Sequence, residues 1–150
     1  MKVKVICATS LDGFIAKHSN EKISWSQDLA LFKKQTMNKY VIMGSNTYQT
    51  LEKPLKGRKI IVPSRTDSPK NIIKELEKTE KECIIAGGGI TNSRFVKYIT
   101  DIYITPHPII LGNGIKLFAK EALESKTVLE KMVAVPGRKS IYQYQFQIIK

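Results

Sequence analysis

The stretch WSQDLALFKKQTMNKYVIMGSNT, residues 25–47, carries the patterns of a helix, a strand and a turn. Its apolar residues recur at three- and four-residue intervals over residues 28–37, which predicts an amphipathic helix. Asp28 and Phe32 fall on one face of that helix, so the acid is expected beside an aromatic ring. The next run, Tyr40–Met43, is apolar, too short for a helix and followed by a glycine, which predicts a buried strand.

Asp28 has two interpretations on this pattern alone. A carboxylate beside an aromatic ring is disfavoured in its charged form, which suits general-acid chemistry or the recognition of a heterocycle. Acids are also common at helix N-termini, because they complement the free N–H groups and the helix dipole. The stretch by itself favours the capping interpretation, and the rest of the chain has to decide between the two.

Short apolar runs separated by turns and helical patterns continue along all 150 residues, a length typical of one domain. The predicted strands cover residues 2–9, 40–43, 59–63, 83–86, 102–105, 127–135 and 140–150, and the predicted helices cover residues 28–37, 70–81 and 91–98. The last two strands alternate and flank a Pro-Gly turn, which predicts a hairpin. We therefore expect an α/β fold in which a mostly parallel central sheet is flanked by helices and closed by a C-terminal antiparallel hairpin.

The composition is that of a soluble globular protein, with 42% hydrophobic and 25% charged residues. No apolar run approaches the roughly 20 residues of a membrane span, and the start of the chain alternates like a strand rather than a signal peptide. We therefore expect no membrane association and a cytoplasmic protein. Cys7 and Cys83 each lie in an apolar run, which predicts buried free thiols rather than a disulfide or a metal site.

The net charge is +12, from 25 Lys and Arg against 13 Asp and Glu. Such a balance attracts anions, and the candidates are nucleic acid, anionic lipid and small phosphorylated molecules. The basic residues are scattered along the chain and form no dense tract with interleaved aromatic residues. This pattern favours steering of small anions over nucleic-acid binding.

Three polar turns follow predicted strands and are candidates for binding an anion. Gly87–Gly89 stand between a strand and a helix, where bare N–H groups can hold a pyrophosphate, although a close helix–sheet contact explains such glycines equally well. The motif is neither GxGxxG nor a P-loop. Residues 45–47 and 64–66 occupy similar places at strand ends. His107 lies between two prolines and is predicted to be a packed loop residue, with no partner for a metal.

In this order, the motifs resemble those of the dihydrofolate reductase family. The similarity includes Trp25 and residues 28–33, 36–39, 41–44, 46–47, 54–59, 87–89 and 102–105. It covers most of the chain, and several weak motifs in register make one strong signal. The resemblance implies a single reductase domain over residues 1–150, a monomer or homodimer without metal. It further implies transfer of a hydride from NADPH to 7,8-dihydrofolate, giving tetrahydrofolate.

The resemblance also implies roles on the substrate side. Asp28 would hydrogen-bond the pterin and promote protonation of its ring nitrogen before the hydride arrives, and Thr105 would support Asp28. Arg58 would bind the α-carboxylate of the glutamate tail through its guanidinium fork. The residues implied to wall the pterin and benzoyl groups are Ala8, Leu29, Phe32, Leu51 and Leu55.

On the cofactor side, the resemblance places Ile15 against the nicotinamide, Thr47 and the glycines at the pyrophosphate, and Ser64 and Arg65 near the ribose phosphate. The cofactor-binding residues implied in full are Ala8, Ile15, Gly44, Ser45, Thr47, Ser64, Arg65, Gly87, Gly88, Gly89, Ile90 and Thr91. Ser45 stands where the family typically has an arginine that grips the 2′-phosphate, which weakens the preference for NADPH over NADH.

Two alternatives remain. Residues 10–16 and 108–118 resemble the reductase domain of riboflavin synthesis, which shares the fold and reduces a phosphoribosylaminopyrimidine. Arg58 and the helix over residues 28–37 favour folate, because a tail carboxylate needs that arginine and a ribityl phosphate does not. A basic nucleic-acid-binding protein without catalysis is the third candidate, and it would require a clustered basic face.

Overall fold

A seven-stranded mixed sheet is the centre of the computed structural model, which describes residues 1–121 and 123–150. The strands are β1 (Lys2–Thr9), β2 (Phe14–Ala16), β3 (Tyr40–Ile42), β4 (Lys59–Ile61), β5 (Glu82–Ile85), β6 (Asp101–Pro106), β7 (Ile115–Lys116), β8 (Lys126–Ala134) and β9 (Tyr142–Ile149). The helices are α1 (Leu29–Thr36), α2 (Ser45–Gln49), α3 (Pro69–Glu77) and α4 (Gly89–Arg94), with a 3₁₀ turn at Val96–Tyr98.

The strand order in the large sheet is β4-β3-β5-β1-β6-β9-β8. Neighbouring strands from β4 to β6 run parallel, whereas β9 is antiparallel to both β6 and β8. Five parallel strands and a C-terminal antiparallel hairpin are the architecture expected from the sequence, and the predicted fold class is confirmed. Helices connect the parallel strands because such strands need a long crossover.

Hydrophobic clusters cover both faces of the sheet at its centre. Val3 and Val5 of β1 belong to one cluster, with Phe95 as its largest fully buried side chain. Ile6 of the same strand belongs to another cluster, which includes Phe32 of α1. Successive side chains of a strand point to opposite faces, so an apolar β1 can support a layer on each side. The continuous apolar run that marked this strand in the sequence therefore reflects its central place.

Helix α1 is fixed over the sheet by apolar and polar contacts. Leu31 packs with Val135 and Ile141 near the end of the C-terminal hairpin. The side-chain amides of Gln35 and Gln143 form two reciprocal hydrogen bonds of 2.6 and 2.9 Å, and Gln143 is almost fully buried. Leu31 and Phe32, expected on one face, thus pack in different clusters.

Two predicted helices are shorter in the structure. The pattern over residues 91–98 divides into α4 and the 3₁₀ turn, because Phe95 is fully buried and its carbonyl accepts a hydrogen bond from the N–H of Tyr98, three residues on. The pattern over residues 70–81 ends at Glu77. No helix in residues 1–121 and 123–150 is both long and apolar enough to span a membrane.

A small second sheet joins two loops distant in sequence. Strand β2 pairs with β7, and the Asp12 carboxylate accepts hydrogen bonds from the N–H groups of Leu111 and Gly112 at 3.1 and 2.8 Å. The hydroxyl of Ser10 also donates to Asp12 at 2.6 Å, and these bonds hold the pKa of Asp12 below its ordinary value. The two loops therefore form one unit beside the end of β1.

Glu82, the first residue of β5, is bonded to a lysine on each neighbouring segment of chain. Its carboxylate lies 2.5 Å from the ammonium of Lys4 and also pairs with Lys39. Burial, the largest influence, raises the pKa of Glu82, but the bonds and charges of Lys39 and Lys4 together outweigh it and hold the pKa below its ordinary value. Glu82 and its two lysines therefore link three adjacent segments across the parallel part of the sheet.

Replacing Glu82 by Gln is expected to lower the free energy of unfolding by about 1 kcal/mol at neutral pH, as for a partly exposed charged pair. Because the folded-state pKa is the lower one, this stabilisation is complete above the ordinary glutamate pKa of about 4.3 and disappears as the pH falls through the folded value. Urea unfolding of both proteins over an acidic pH series measures it. A difference in the free energy of unfolding that stays constant down to the lowest pH would contradict the assignment. Glu75→Gln on α3 is the control.

Candidate active site

Asp28 immediately precedes α1 and is buried, with 5% of its surface exposed. Its side chain makes no capping hydrogen bond to the helix, and Oδ1 instead accepts a bond from the hydroxyl of Ser26 at 2.7 Å. Asp28 therefore occupies the N-cap position, but its side chain forms none of the hydrogen bonds that the capping interpretation expects. A buried carboxylate that makes no bond to the helix is a candidate for chemistry.

The neighbour of Asp28 that sequence reasoning missed is His107. Its ring is 1% exposed, and Nε2 lies 4.0 Å from Oδ1 of Asp28. The indole of Trp25 packs edge-on against the imidazole, with 5.3 Å between ring centroids and 73° between planes. The prediction of a packed loop residue is correct, but its partners could not be foreseen, because residues 25–28 and 107 are far apart in the chain.

Thr105 lies on β6 opposite Ala8 of β1, near the carboxyl ends of both strands. It is fully buried, and its Oγ1 has no hydrogen-bond partner among the described residues. The indole N–H of Trp25 is likewise buried without a partner in that part of the chain. Buried polar groups normally find partners, so unpaired ones beside a buried acid indicate a place where a ligand completes the bonding.

Cys7, next to Ala8 on β1, lies within electrostatic reach of the same acid. Burial, and secondarily the charge of Asp28, raise the pKa of this thiol to about 12. Burial likewise raises the pKa of Cys83 to about 12, and both cysteines are free. Cys83 is thus the buried free thiol that was expected, whereas Cys7 is free and half-buried.

A basic recess is lined by one residue of α1 and by the segment that precedes β4. Lys33, Lys53, Lys56 and Arg58, together with Pro54, line a cavity of about 380 Å³. Nε and Nη1 of Arg58 are buried and have no partner in the part of the chain that the structure describes. A guanidinium presenting unpaired N–H groups in a positively charged recess fits a carboxylate.

Apolar side chains of α1 and of the segment between α2 and β4 pack against the sheet. Phe32, Leu51 and Leu55 pack together against the sheet cluster of Ile6. Leu29, the first residue of α1, is two-thirds exposed. Of the residues that the sequence assigned to a substrate, Phe32, Leu51 and Leu55 thus pack against one cluster, and Arg58 lines the basic recess.

The second group of predicted residues meets where β3 and β5 end. Gly44 donates a backbone hydrogen bond of 2.8 Å to the carbonyl of Gly87, and a Cβ on Gly44 would lie 2.5 Å from Oγ1 of Thr91. A Cβ on Gly88 would lie 3.4 Å from Oγ1 of Thr47. Two hydroxyls and bare backbone therefore line one small surface, which suits the oxygens of a pyrophosphate.

Gly89, unlike its neighbour Gly88, lacks room for a side chain. A Cβ at Gly89 would lie 2.5 Å from the carbonyl oxygen of Lys116 and 2.9 Å from the side chain of Ala119. The start of α4 therefore packs directly on the loop after β7. Of the two interpretations of the glycine motif, the close packing contact applies to Gly89.

Ser64 and Arg65 lie in the exposed loop that follows β4. Arg94 of α4 fixes this loop, because its guanidinium donates hydrogen bonds of 2.9 and 2.8 Å to the carbonyls of Ser64 and Asp67. No motif singles out Arg94, since its role depends on a contact between segments 27 to 30 residues apart. The other predicted cofactor residues, Ile15, Ser45 and Ile90, range from half-buried to exposed.

Known proteins resemble this chain in sequence. A family model described as dihydrofolate reductase matches residues 2–111. The dihydrofolate reductase of Buchnera aphidicola subsp. Schizaphis graminum is 32% identical over 99% of this chain and 99% of its own length. That of Haemophilus influenzae is 28% identical over 70% of this chain and 71% of its own.

Solved structures share the fold at lower identity. The Enterococcus faecalis dihydrofolate reductase, complexed with NADP(H) and RAB-propyl, has a TM-score of 0.77 at 20% identity, covering 99% of this chain and 97% of its own. A Shewanella sp. PV-4 protein assigned to riboflavin biosynthesis has a TM-score of 0.76 at 24% identity, covering 100% of both chains. The fold alone is common to both groups, whereas the family model and the sequence relatives separate them: this chain belongs to the dihydrofolate reductase family.

Proposed function

We propose that this chain catalyses the NADPH-dependent reduction of 7,8-dihydrofolate to tetrahydrofolate. Membership of the family supports this reaction class and a nicotinamide cofactor. The observation that carries the proposal is the buried carboxylate of Asp28, which serves no helix cap and has unpaired polar groups of Thr105 and Trp25 around it. Such a site offers a heterocycle both hydrogen-bond donors and an acceptor.

Asp28 holds the amino-pyrimidine edge of the pterin in this mechanism. The carboxylate accepts hydrogen bonds from the amino group and the ring, which favours protonation of the pterin nitrogen before the hydride arrives. Low local polarity strengthens these bonds, because Asp28 is almost fully shielded from water. The hydroxyl of Thr105, which has no protein partner among the described residues, supports the same edge.

The rest of the substrate follows the surface along α1. The walls of the pterin and benzoyl groups are Ala8, Leu29, Phe32, Leu51 and Leu55. Arg58 binds the α-carboxylate of the glutamate tail, and Lys33, Lys53 and Lys56 add positive charge to the same recess. This arrangement orients the ring relative to Asp28, since the two ends of the substrate are held at fixed points.

The cofactor residues fit a nicotinamide dinucleotide. Thr47 and Gly88 face each other closely enough to hold the pyrophosphate, and the close approach at Gly44 admits no side chain. When bound, the nicotinamide supplies the hydride, while the protein orients it. Ile15 lies against the nicotinamide in this proposal. Ser64 and Arg65 lie near the adenosine ribose, in a loop held by Arg94.

Asp28→Asn is expected to lower kcat for dihydrofolate by about 10²- to 10⁴-fold at neutral pH, the range for removal of a general acid–base group. The assay follows loss of absorbance at the reduced-nicotinamide band. Glu75→Gln, which removes an exposed acid from α3, is the control. An Asp28→Asn variant with full activity would remove the proposed proton role.

The same assay with the phosphoribosylaminopyrimidine of riboflavin synthesis tests the alternative substrate. Residues 10–16 and 108–118, which resemble that reductase, pair with each other through β2, β7 and Asp12. They contribute to the loop unit rather than to the surface between Asp28 and Arg58. Turnover of only the riboflavin intermediate would overturn the proposed substrate.

Arg58→Gln is expected to raise KM for dihydrofolate about 100-fold with a smaller change in kcat, because the tail carboxylate loses a charge-assisted pair. A dihydropterin without the benzoylglutamate tail should be reduced equally by the variant and the parent. Lys56→Gln, at the rim of the same recess, is the matched control and should change KM only a few-fold. If Arg58→Gln lost as much activity with the tailless substrate as with dihydrofolate, the role of Arg58 in binding the tail would be contradicted.

Ser45→Arg is expected to increase the ratio of kcat/KM for NADPH over NADH about tenfold. A guanidinium at this exposed position can bind the 2′-phosphate that distinguishes the two cofactors. Ser45→Ala is the control for loss of the hydroxyl. Parallel kinetics with both cofactors measure the ratio, and an unchanged ratio would place the 2′-phosphate away from Ser45.

A further inference from the structure

We propose that His107 is a positioning residue that holds Asp28 in place through the backbone of residues 25–27. The proposal rests on the function proposed for Asp28, since it assigns the device that fixes this acid. His107 does so as a neutral ring in one tautomer, and it exchanges no proton with the substrate.

The hydrogen bonds determine the tautomer. The backbone N–H of Gln27 points at Nε2 of His107 at 2.9 Å, so Nε2 must accept and cannot carry a proton. Nδ1 lies 2.8 Å from the carbonyl oxygen of Thr105, which can only accept, so Nδ1 carries the proton. Each ring nitrogen thus has one partner, and the imidazole is neutral.

The ring itself is held firmly. The N–H of His107 donates to the carbonyl of Thr9 at 2.7 Å, which ties the residue to the end of β1. Pro106 and Pro108 restrict the backbone on both sides, and Trp25 packs its edge on the ring. His107 is therefore a fixed part of the sheet edge, able to hold a less supported segment.

That less supported segment is the turn before α1. Only Ser26 and Gln27 separate Trp25 from Asp28. Within residues 1–121 and 123–150, the bond from Gln27 to His107 is the sole hydrogen bond joining residues 25–27 to a distant part of the chain. The backbone of Asp28 is tied to α1, because its carbonyl accepts a hydrogen bond of 2.9 Å from the N–H of Phe32, but its carboxylate makes no capping bond. The turn that holds the hydroxyl of Ser26 against this carboxylate therefore depends on the contact with His107.

His107 acts on Asp28 through this backbone bond rather than directly. The separation of 4.0 Å between Nε2 and Oδ1 is longer than a hydrogen bond. The lone pair of Nε2 is already used by Gln27, and a neutral ring forms no ion pair with the carboxylate. Losing the bond would let the turn move, and a shift of about 1 Å at a catalytic group can cost about 100-fold in rate.

Two amide variants separate the two ring nitrogens. In His107→Gln the side-chain oxygen can replace Nε2 and accept from Gln27. In His107→Asn the amide nitrogen replaces Nδ1 and the acceptor for Gln27 is lost. We expect His107→Asn to lower kcat for dihydrofolate about 10- to 100-fold, with Kd for NADPH changed less than about threefold. His107→Gln should retain kcat within about threefold of the parent.

A double variant tests whether the effect passes through the acid. In an Asp28→Asn background, His107→Asn should cause little further loss of kcat, because the group it positions is already gone. An undiminished loss in that background, in proteins with native circular dichroism, would overturn the proposal. Equal losses in the Asn and Gln variants would overturn it as well.

Nitrogen-15 NMR of the unmodified protein tests the tautomer without relying on any variant. We expect a protonated, pyrrole-type Nδ1 and an unprotonated, pyridine-type Nε2 at neutral pH. A proton on Nε2 would overturn the proposal whether or not the variants fold. A fully active Asp28→Asn variant would show that the role proposed for Asp28 is wrong. The tautomer, if it is as stated, would still confirm the hydrogen bond from Gln27 to His107.

Discussion

Strand β1 is hydrogen-bonded in parallel to β5 on one side and β6 on the other, and the site depends on this pairing. The register of Ala8 with Thr105 brings β1 and β6 to the same level at their carboxyl ends. The register of β1 with β5 and of β5 with β3 carries Gly44 and the glycines to the same edge of the sheet. Parallel strands present all their carboxyl ends at one edge, so Thr105, Gly44 and the three glycines lie along that edge.

Several polar groups of the predicted site are incompletely paired within the protein. Trp25, Thr105 and Arg58 each keep a buried nitrogen or oxygen without a partner in the described chain. Such groups destabilise a fold, and they persist where a ligand completes their bonding. The stability comes from elsewhere, mainly from the apolar layers on both faces of β1 and from the charged group around Glu82.

Local patterns predicted much of this arrangement because the forces behind them act over short distances. Apolar patterns located α1 and the seven strands of the large sheet, but not the short strands β2 and β7, since a buried face requires such a pattern whatever the partner is. Short-range patterns were less informative where burial overrides propensity, as at Phe95, which divides the expected helix over residues 91–98. They also left the three glycines ambiguous, because packing and ligand binding both require the same missing side chain.

The sequence by itself determined the fold class, the family and the two sets of residues expected around a substrate and a cofactor. The tertiary structure alone decided that the side chain of Asp28 makes no capping bond to α1, that His107 lies beside it, and that Arg94 fixes the loop of Ser64. Each of these depends on contacts between segments far apart in the chain. Such contacts follow from how the strands are ordered in the sheet, and no local pattern of residues encodes that order.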